Sequence, residues 1–168
     1  DVYRAVTHNK GIMNGIISVA NAVGQDSRAI EAAANAYAAI SGKYRSLSKW
    51  SKDSDGNLVG ILEIPLSVGI VGGIVNVHPV AKVCAKILNV ESAQELACVM
   101  TATGLAQNYS AIRALSTEGI QKGHMRLHAR NLAAAAGATS AQIDKIVEQM
   151  IQTKSISLDN AKKLLRQI

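Results

Sequence analysis

The sequence contains no phenylalanine, and aromatic residues make up only 3% of its 168 residues. Apolar residues nevertheless account for 48% of the chain, so a buried core must be built from alanine, isoleucine, leucine and valine. Side chains of this kind suit closely packed helices, and a chain of about 150 residues buries roughly 70% of its unfolded surface. We therefore expect a helix-dominated fold with a sizeable core, formed by one compact domain or by parts of two.

The first third of the chain predicts two helices behind a short lead-in. Residues 1–9 are expected to be extended, with Asn9 as the cap of a helix over Lys10–Val23 whose apolar residues share one broad face. An alanine-rich stretch predicts a second helix over Ser27–Ile40, with its first residue as the cap.

A hairpin is expected next. The stretches Tyr44–Trp50 and Leu58–Val68 alternate and hold β-branched residues, and an Asp-Gly step lies between them. Pro65 in the second strand indicates an edge position or a bulge. Glycines at residues 69, 72 and 73 then break the strand, and a tight turn explains them better than a phosphate-binding loop, since both nucleotide fingerprints are missing.

Helical patterns return after Pro79. Ser92 and Glu95 form a capping box, because the serine oxygen and the carboxylate can cover free amides at a helix start. The predicted helices cover residues 80–88, 92–115, 120–136, 140–152 and 157–166. The last two, from Thr139 onward, are amphipathic and suit a small satellite. The fold class is therefore α+β, helix-dominated, with one β-hairpin.

Charge and cysteine usage limit the function classes. The formal net charge is +6, but the basic residues are scattered and carry no interleaved aromatic residues, which argues against nucleic acid. A phosphorylated small molecule accounts for the positive charge at least as well as nucleic acid does. No apolar run is long enough to span a bilayer. Cys84 and Cys98, in apolar helical stretches, are expected to be buried reduced thiols, which favours the cytoplasm.

A lysine motif opens the chain. Lys10 and Asn14 are four residues apart and so share a helix face, and Gly11 and Gly15 in the same stretch indicate that something approaches the backbone closely. A lysine near a helix start is unfavourable beside the positive end of the dipole. A solvated lysine with two packing glycines remains an alternative. Asp26 reads either as a turn or cap residue or as an orienting partner for a lysine.

A histidine pair lies near the other end. His124 and His128 are four residues apart and share a helical face. Three readings stay open: partly exposed surface histidines, a zinc-binding pair, or a catalytic acid, because histidine titrates near neutral pH. Metal binding is disfavoured, since no convincing further ligands accompany the pair.

Together these segments resemble a known family. Residues 4–16 read RAVTHNKGIMNGI, residues 118–125 read EGIQKGHM, and LHARN follows at 127–131. With LAQN at 105–108 and VGG at 71–73, this pattern is similar to class II 3-hydroxy-3-methylglutaryl-coenzyme A reductases. The resemblance covers nearly the whole chain in the family's order. One mild departure is Gln25, where the family usually has asparagine before its aspartate.

The resemblance implies a reaction and roles. The family reduces a thioester with two hydrides from NADH or NADPH, giving mevalonate and coenzyme A, or runs in reverse. Lys10 would be the catalytic lysine that stabilises the developing oxyanion, Asp26 would orient it, and His124 would protonate the departing thiolate. The matching substrate-binding positions are Arg4, Asn14, Asn108 and His128.

The resemblance also implies an incomplete site. The family's catalytic glutamate and its nicotinamide-binding domain precede the first motif, and the chain opens at Asp1, without methionine and within ten residues of that motif. We expect residues 1–117 to be the C-terminal half of the large domain and residues 118–168 a mobile C-terminal flap that carries the histidine. The family builds its active site at a homodimer interface. The chain alone is therefore expected to be inactive.

Two other function classes stay open. A non-catalytic helical module could bind coenzyme A or another polyanion through its positive charge, and it would tolerate Lys10→Ala. A two-histidine metal-binding protein would lose zinc on His128→Ala. Neither needs Lys10, Asp26 and His124 to occur together.

Overall fold

The computed structural model describes residues 1–117 and 119–167, without the side chains of residues 120–122. The chain forms two compact units, Asp1–Ala111 and Ile112–Ile168. The assignment of residues 1–117 and 118–168 to functional domains stays a prediction; the compact units themselves divide at residue 111.

The first unit contains four helices and a hairpin. Its elements are α1 (Val2–Ala22), α2 (Ser27–Ala39), β1 (Ser48–Lys52), β2 (Leu58–Leu62), a 3₁₀ turn (Gly73–Asn76), α3 (Pro79–Leu88) and α4 (Ala93–Ser116), whose last turn belongs to the second unit. The second unit adds α5 (Ile120–Ala135), α6 (Ser140–Gln152) and α7 (Leu158–Leu165). The predicted α+β, helix-dominated class with one hairpin is confirmed.

The start of the chain differs from the prediction. Residues 1–9 are not extended, because α1 begins at Val2 and Asp1 caps it by accepting from the amides of Tyr3 and Arg4. Asn9 is not a cap either, since it is buried inside the helix. Ala5, Asn9, Ile12, Met13 and Ile16 are all buried and follow the helical period. Because Asn9 is polar, the sequence did not show that the buried face of the helix continues through it toward the N-terminus.

The hairpin forms where it was predicted but is shorter. β1 and β2 pair antiparallel from Ser48 opposite Leu62 to Lys52 opposite Leu58. The carboxylate of Asp53 organises the turn by accepting hydrogen bonds from the backbone amides of Asp55 and Asn57. The hydrogen bond from the Asn57 backbone amide is the main reason that the pKa of the Asp53 carboxyl is lowered. The second strand ends at Leu62 instead of reaching Val68, so Pro65 is not part of it.

The core of the first unit is aliphatic, as the composition predicts. Residues from α1, α2 and α4 form one buried cluster, in which Ile12, Ile16, Ile30 and Met100 are completely buried. The Ser92 hydroxyl accepts from the Glu95 amide and so covers the start of α4 as predicted. The Glu95 carboxylate accepts from the amide of Glu91.

The second unit is a cluster of three helices. Its core consists of Ala129, Ala133, Ile146, Val147, Met150 and Ala161, contributed by α5, α6 and α7. The ends of these helices agree with the predicted ones to within a residue or two. Small alanines on α5 allow α6 and α7 to pack closely against it.

The two cysteines correct one expectation. Cys98 is exposed and Cys84 is half-buried, so they are not two buried thiols. The apolar stretch around Cys98 belongs to a helix whose buried stripe runs through Leu96, Met100 and Gly104, and Cys98 lies off that stripe. Within residues 1–117 and 119–167, no helix is long and apolar enough to cross a membrane.

Candidate functional site

Lys10 lies in the middle of α1 and not near a helix start. Its side chain is exposed, as is that of Asn14 one turn later. Because the helix begins eight residues earlier, the unfavourable dipole that the sequence suggested does not act on Lys10. The helix presents the lysine and the amide together on one solvent-facing side.

An open cleft of about 380 Å³ lies beside these two residues. Lys10, Met13, Asn14, Ile17 and Ser18 line it from α1, and Glu31 lines it from α2. Sequence reasoning missed Glu31, which no motif distinguished from the other exposed residues of α2. The cleft therefore combines a cation, an amide, a carboxylate and two apolar side chains, a set that can hold a polar substrate and stabilise negative charge.

The glycines of the lysine motif have different surroundings. A Cβ atom at Gly15 would lie 2.7 Å from the carbonyl oxygen of Thr103 on α4, whereas one at Gly11 would meet only the Ala111 Cβ at 3.7 Å. The close approach that the sequence indicated is therefore confirmed at Gly15, and what approaches is α4. In return Gly104 of α4 receives Ile16, with a Cβ there only 2.8 Å from that side chain.

Asp26 is the N-cap of α2, in place of the predicted Ser27. Its Oδ1 accepts from the amides of Arg28 and Ala29, each at 3.1 Å. The cap reading of Asp26 is thus confirmed, and the carboxylate is exposed. Both capping hydrogen bonds are accepted by Oδ1, so Oδ2 takes no part in capping the helix.

Gln25, the departure from the family pattern, binds the glycine loop. Its amide nitrogen donates to the Gly69 carbonyl at 2.8 Å, and its oxygen accepts from the Gly69 amide at 2.9 Å. Gly72 and Gly73 have positive φ angles of 82° and 62°, and the chain bends here into the 3₁₀ turn Gly73–Asn76. The side chain of Gln25 therefore holds the glycine loop next to the start of α2, where Asp26 lies.

Asn108 lies in a buried hydrogen-bond network. It is 1% exposed, and its Oδ1 accepts from the Ser48 hydroxyl and from the Trp50 indole, both at 2.8 Å. Its Nδ2 faces the Nδ1 of His8 at 3.5 Å, while the His8 Nε2 is 2.6 Å from the Ser48 oxygen. In the described chain the Asn108 amide thus spans α1, β1 and α4.

The protons of this network can be assigned by its donors. Because the Ser48 hydrogen goes to Asn108, the His8 Nε2 must carry a hydrogen to bond the serine oxygen. The His8 Nδ1 is then an acceptor for the Asn108 amide, and the ring is neutral. Burial agrees with this assignment, because it lowers the pKa of His8 below its ordinary value of 6.5.

The remaining predicted site residues are exposed. Arg4 lies in the first turn of α1. His124 and His128 lie on α5 in the second unit, one turn apart, and both are exposed. Glu118, which opens their motif, lies outside the described residues. Among residues 1–117 and 119–167, no group of three or more His, Cys, Asp or Glu side chains could hold a metal ion.

A larger groove contains none of the predicted site residues. It has a volume of about 770 Å³ and runs between α4 and the extended segment that continues β2. Its walls are mostly apolar and include Ile64, Leu66, Val68, Cys98 and Leu105. The groove lacks the titratable residues that the chemistry of the motifs would need, so the smaller cleft beside Lys10 is the better candidate site.

Comparison with known proteins identifies the family. Residues 1–129 match the family described as Hydroxymethylglutaryl-coenzyme A reductase. The 3-hydroxy-3-methylglutaryl-coenzyme A reductase of Archaeoglobus fulgidus is 55% identical over 168 residues, which are 100% of this chain and 38% of that protein. A probable enzyme of the same name from Borreliella burgdorferi is 43% identical and matches 98% of this chain and 39% of its own length.

Comparison with solved structures finds enzymes of the same family. The 3-hydroxy-3-methylglutaryl-coenzyme A reductase of Streptococcus pneumoniae superposes with a TM-score of 0.68 at 42% identity, over 99% of this chain and 40% of that one. A structure of the class II enzyme from the same organism, bound to NADPH in open conformations, has the same TM-score at 43% identity, over 99% of this chain and 41% of that one. The chain belongs to the hydroxymethylglutaryl-coenzyme A reductase family, as its motifs predicted. It spans about 40% of the length of these relatives.

Proposed function

We propose that the full-length protein reduces 3-hydroxy-3-methylglutaryl-coenzyme A to mevalonate and coenzyme A, or catalyses the reverse reaction. The observation that carries the proposal is the joint presentation of Lys10 and Asn14 over an open cleft, in a chain that belongs to this family. Two hydrides from a nicotinamide cofactor reduce the thioester carbon, and protons are taken up by the alcohol oxygen and the departing thiolate. The NADPH-bound relative supports a nicotinamide cofactor, NADH or NADPH.

Lys10 would stabilise the substrate oxygen as it becomes negative. An ammonium aimed at a developing oxyanion lowers the barrier for hydride transfer, because the attraction is stronger in the transition state than in the ground state. Asn14, one turn away on the same face, would hold the substrate or the lysine by its amide. The apolar residues Met13 and Ile17 of the same cleft would limit water around the charged groups.

Asp26 would orient Lys10 while it caps α2. Its Oδ1 is engaged by the helix amides, so Oδ2 is the atom that would meet the lysine. The capping role fixes the backbone of Asp26, and this favours a well-defined position for the second oxygen.

The other positions follow the family motifs. His124 would protonate the coenzyme A thiolate, since an exposed histidine on a surface helix can exchange its proton with water between turnovers. Arg4 would pair with a substrate carboxylate. His128 would complete the substrate and coenzyme A pocket, and the buried Asn108 would contribute to it through the side chains of Ser48 and His8 that it holds. We further propose a cytoplasmic homodimer whose active site lies at the subunit interface.

The direct test is cofactor oxidation. Absorbance at 340 nm would be followed for the full-length protein with the acyl-coenzyme A substrate and NADH or NADPH. Oxidation by the wild type that falls by orders of magnitude in Lys10→Ala supports the proposal. The matched control is Lys43→Ala, an exposed lysine in the loop after α2, which should keep wild-type turnover.

One further variant separates the two roles of Asp26. Asp26→Ser retains a capping oxygen, so α2 should remain as stable, but it has no carboxylate to orient the lysine. Loss of turnover without loss of stability supports the orienting role.

No oxidation by the wild type with either cofactor would reject the proposed reaction, and would favour a binding module for coenzyme A or another polyanion.

A further inference from the structure

Asn9, the residue before Lys10, is held at both ends of its side chain. It is 2% exposed, although an asparagine inside a helix is usually solvated. Its Nδ2 donates to the carbonyl of Arg45 at 2.8 Å, and its Oδ1 accepts from the amide of Leu47 at 2.9 Å. The amide therefore binds the segment entering β1 as a neighbouring strand would, with one donor and one acceptor.

Contacts on the following strand β1 extend these two hydrogen bonds, and the whole set is called the clamp here. His8 lies 2.6 Å from the Ser48 hydroxyl, and Asn108 of α4 takes the Ser48 and Trp50 hydrogens. Helix α1 and the hairpin are thus joined by directional bonds at successive residues. Those made by Asn9 are the ones adjacent to Lys10.

Helix geometry links the position of Asn9 to the direction of Lys10. Consecutive residues are about 100° apart around a helix, so a fixed Asn9 fixes the direction of the next side chain. The packing of Ile16 against Gly104 also limits the rotation of α1. The hydrogen bonds of Asn9 add a directional constraint directly beside Lys10. A rotation of about 10° moves a group roughly 6 Å from the axis by about 1 Å. A misplacement of that size can cost about 100-fold in rate.

We propose that Asn9 is a positioning residue: by binding the Arg45 carbonyl and the Leu47 amide, it sets the rotation of α1 so that Lys10 and Asn14 face the cleft. Asn9 touches neither substrate nor cofactor in this scheme. The inference rests on the proposed function, because the rate it controls is that of the reaction assigned to Lys10.

The test uses Asn9→Ala and Asn9→Asp in the full-length protein. Asn9→Ala should lower kcat by about 100-fold and leave the KM for the nicotinamide cofactor within about two-fold, because only the lysine side of the site is displaced. Hydrogen exchange at the Leu47 amide should accelerate in the same variant.

Asn9→Asp gives a pH signature. The aspartate keeps the acceptor for Leu47, but when ionised it cannot donate to the Arg45 carbonyl, and burial raises its pKa. Protonation restores the donor, so kcat relative to wild type should rise as the pH falls through the pKa of the new carboxyl. The cationic neighbours Lys10 and Arg45 and the Leu47 amide oppose burial and lower that pKa. The pH scan should therefore extend to the acid limit at which the wild type still turns over.

The control is a core variant with an equal loss of thermal stability, such as Ile30→Val or Ile30→Ala. Ile30 is fully buried in α2 and makes none of the hydrogen bonds of the clamp, so its variants should keep kcat. If the wild type is active but Asn9→Ala matches this control in kcat, or Asn9→Asp shows no recovery in acid, the positioning role is rejected. An inactive wild type instead rejects the proposed function itself.

Discussion

The crossing of α1 and α4 makes one strong prediction about stability. Gly15 of α1 faces the backbone of α4, and an added Cβ would lie 2.7 Å from the Thr103 oxygen, 3.0 Å from its carbonyl carbon and 3.0 Å from the Gln107 Cβ. Favourable contacts between carbon atoms begin at about 3.5 Å. Because the nearest atom belongs to backbone, no side-chain rotation relieves the overlap, and Gly15→Ala must push the two helices apart.

The size of the effect follows from two opposing terms. Alanine is about 1 kcal/mol better than glycine in a helix interior. Overpacking of a tight core costs about 1–3 kcal/mol, and contact with backbone favours the upper end of that range. Gly15→Ala should therefore lower the free energy of unfolding by about 2 kcal/mol. For a chain of this length that corresponds to a fall in Tm of about 4–8 °C.

Gly11→Ala is the matched control, one helical turn earlier. Its Cβ would meet only the Ala111 Cβ, at 3.7 Å, which is an ordinary contact. This variant should gain the helix propensity of alanine, roughly 0.5–1 kcal/mol. Thermal and urea unfolding, followed by circular dichroism, measure both variants. Equal effects of the two substitutions, or a stable Gly15→Ala, would refute the reasoning that α4 packs against the backbone of α1 at this residue.

Three further perturbations test the hydrogen-bond network, the cap of α2 and the hairpin. Between pH 6.5 and the lower pKa of folded His8, the unfolded chain takes up a proton that the folded chain does not, so stability should fall as the pH drops below 6.5; urea unfolding should show a flatter pH dependence for His8→Gln, and an unchanged slope would contradict the assignment. Asp26→Ala should cost about 1 kcal/mol in urea unfolding, while Asp26→Ser should cost much less, because only the serine can accept from the first-turn amides of α2. Gly60→Ala should shift the emission of Trp50, the one tryptophan of the sequence, because a Cβ there would lie 2.6 Å from its ring; unchanged fluorescence would mean that the indole does not lie across β2.

The sequence by itself determined the features that depend on local pattern. The absence of phenylalanine and the abundance of alanine predicted an aliphatic, helical core, and the Asp-Gly step at residues 55 and 56 predicted the hairpin turn. The sequence also predicted the helix start at which a serine hydroxyl accepts from a first-turn amide, as Ser92 does for Glu95. The two long motifs predicted the family, which the comparisons confirmed.

Tertiary structure decided the features whose partners are distant in sequence. Asn9 looked like a cap because its neighbours alone do not reveal the Arg45 carbonyl and the Leu47 amide that bury it. Gly15 needed to be glycine because of Thr103, far along the chain on α4. Glu31 joined the cleft only through the packing of α2 beside α1. Local periodicity reports which face of an element is apolar, whereas the hydrogen bonds and close contacts that fix a polar side chain depend on which backbone folding brings against it.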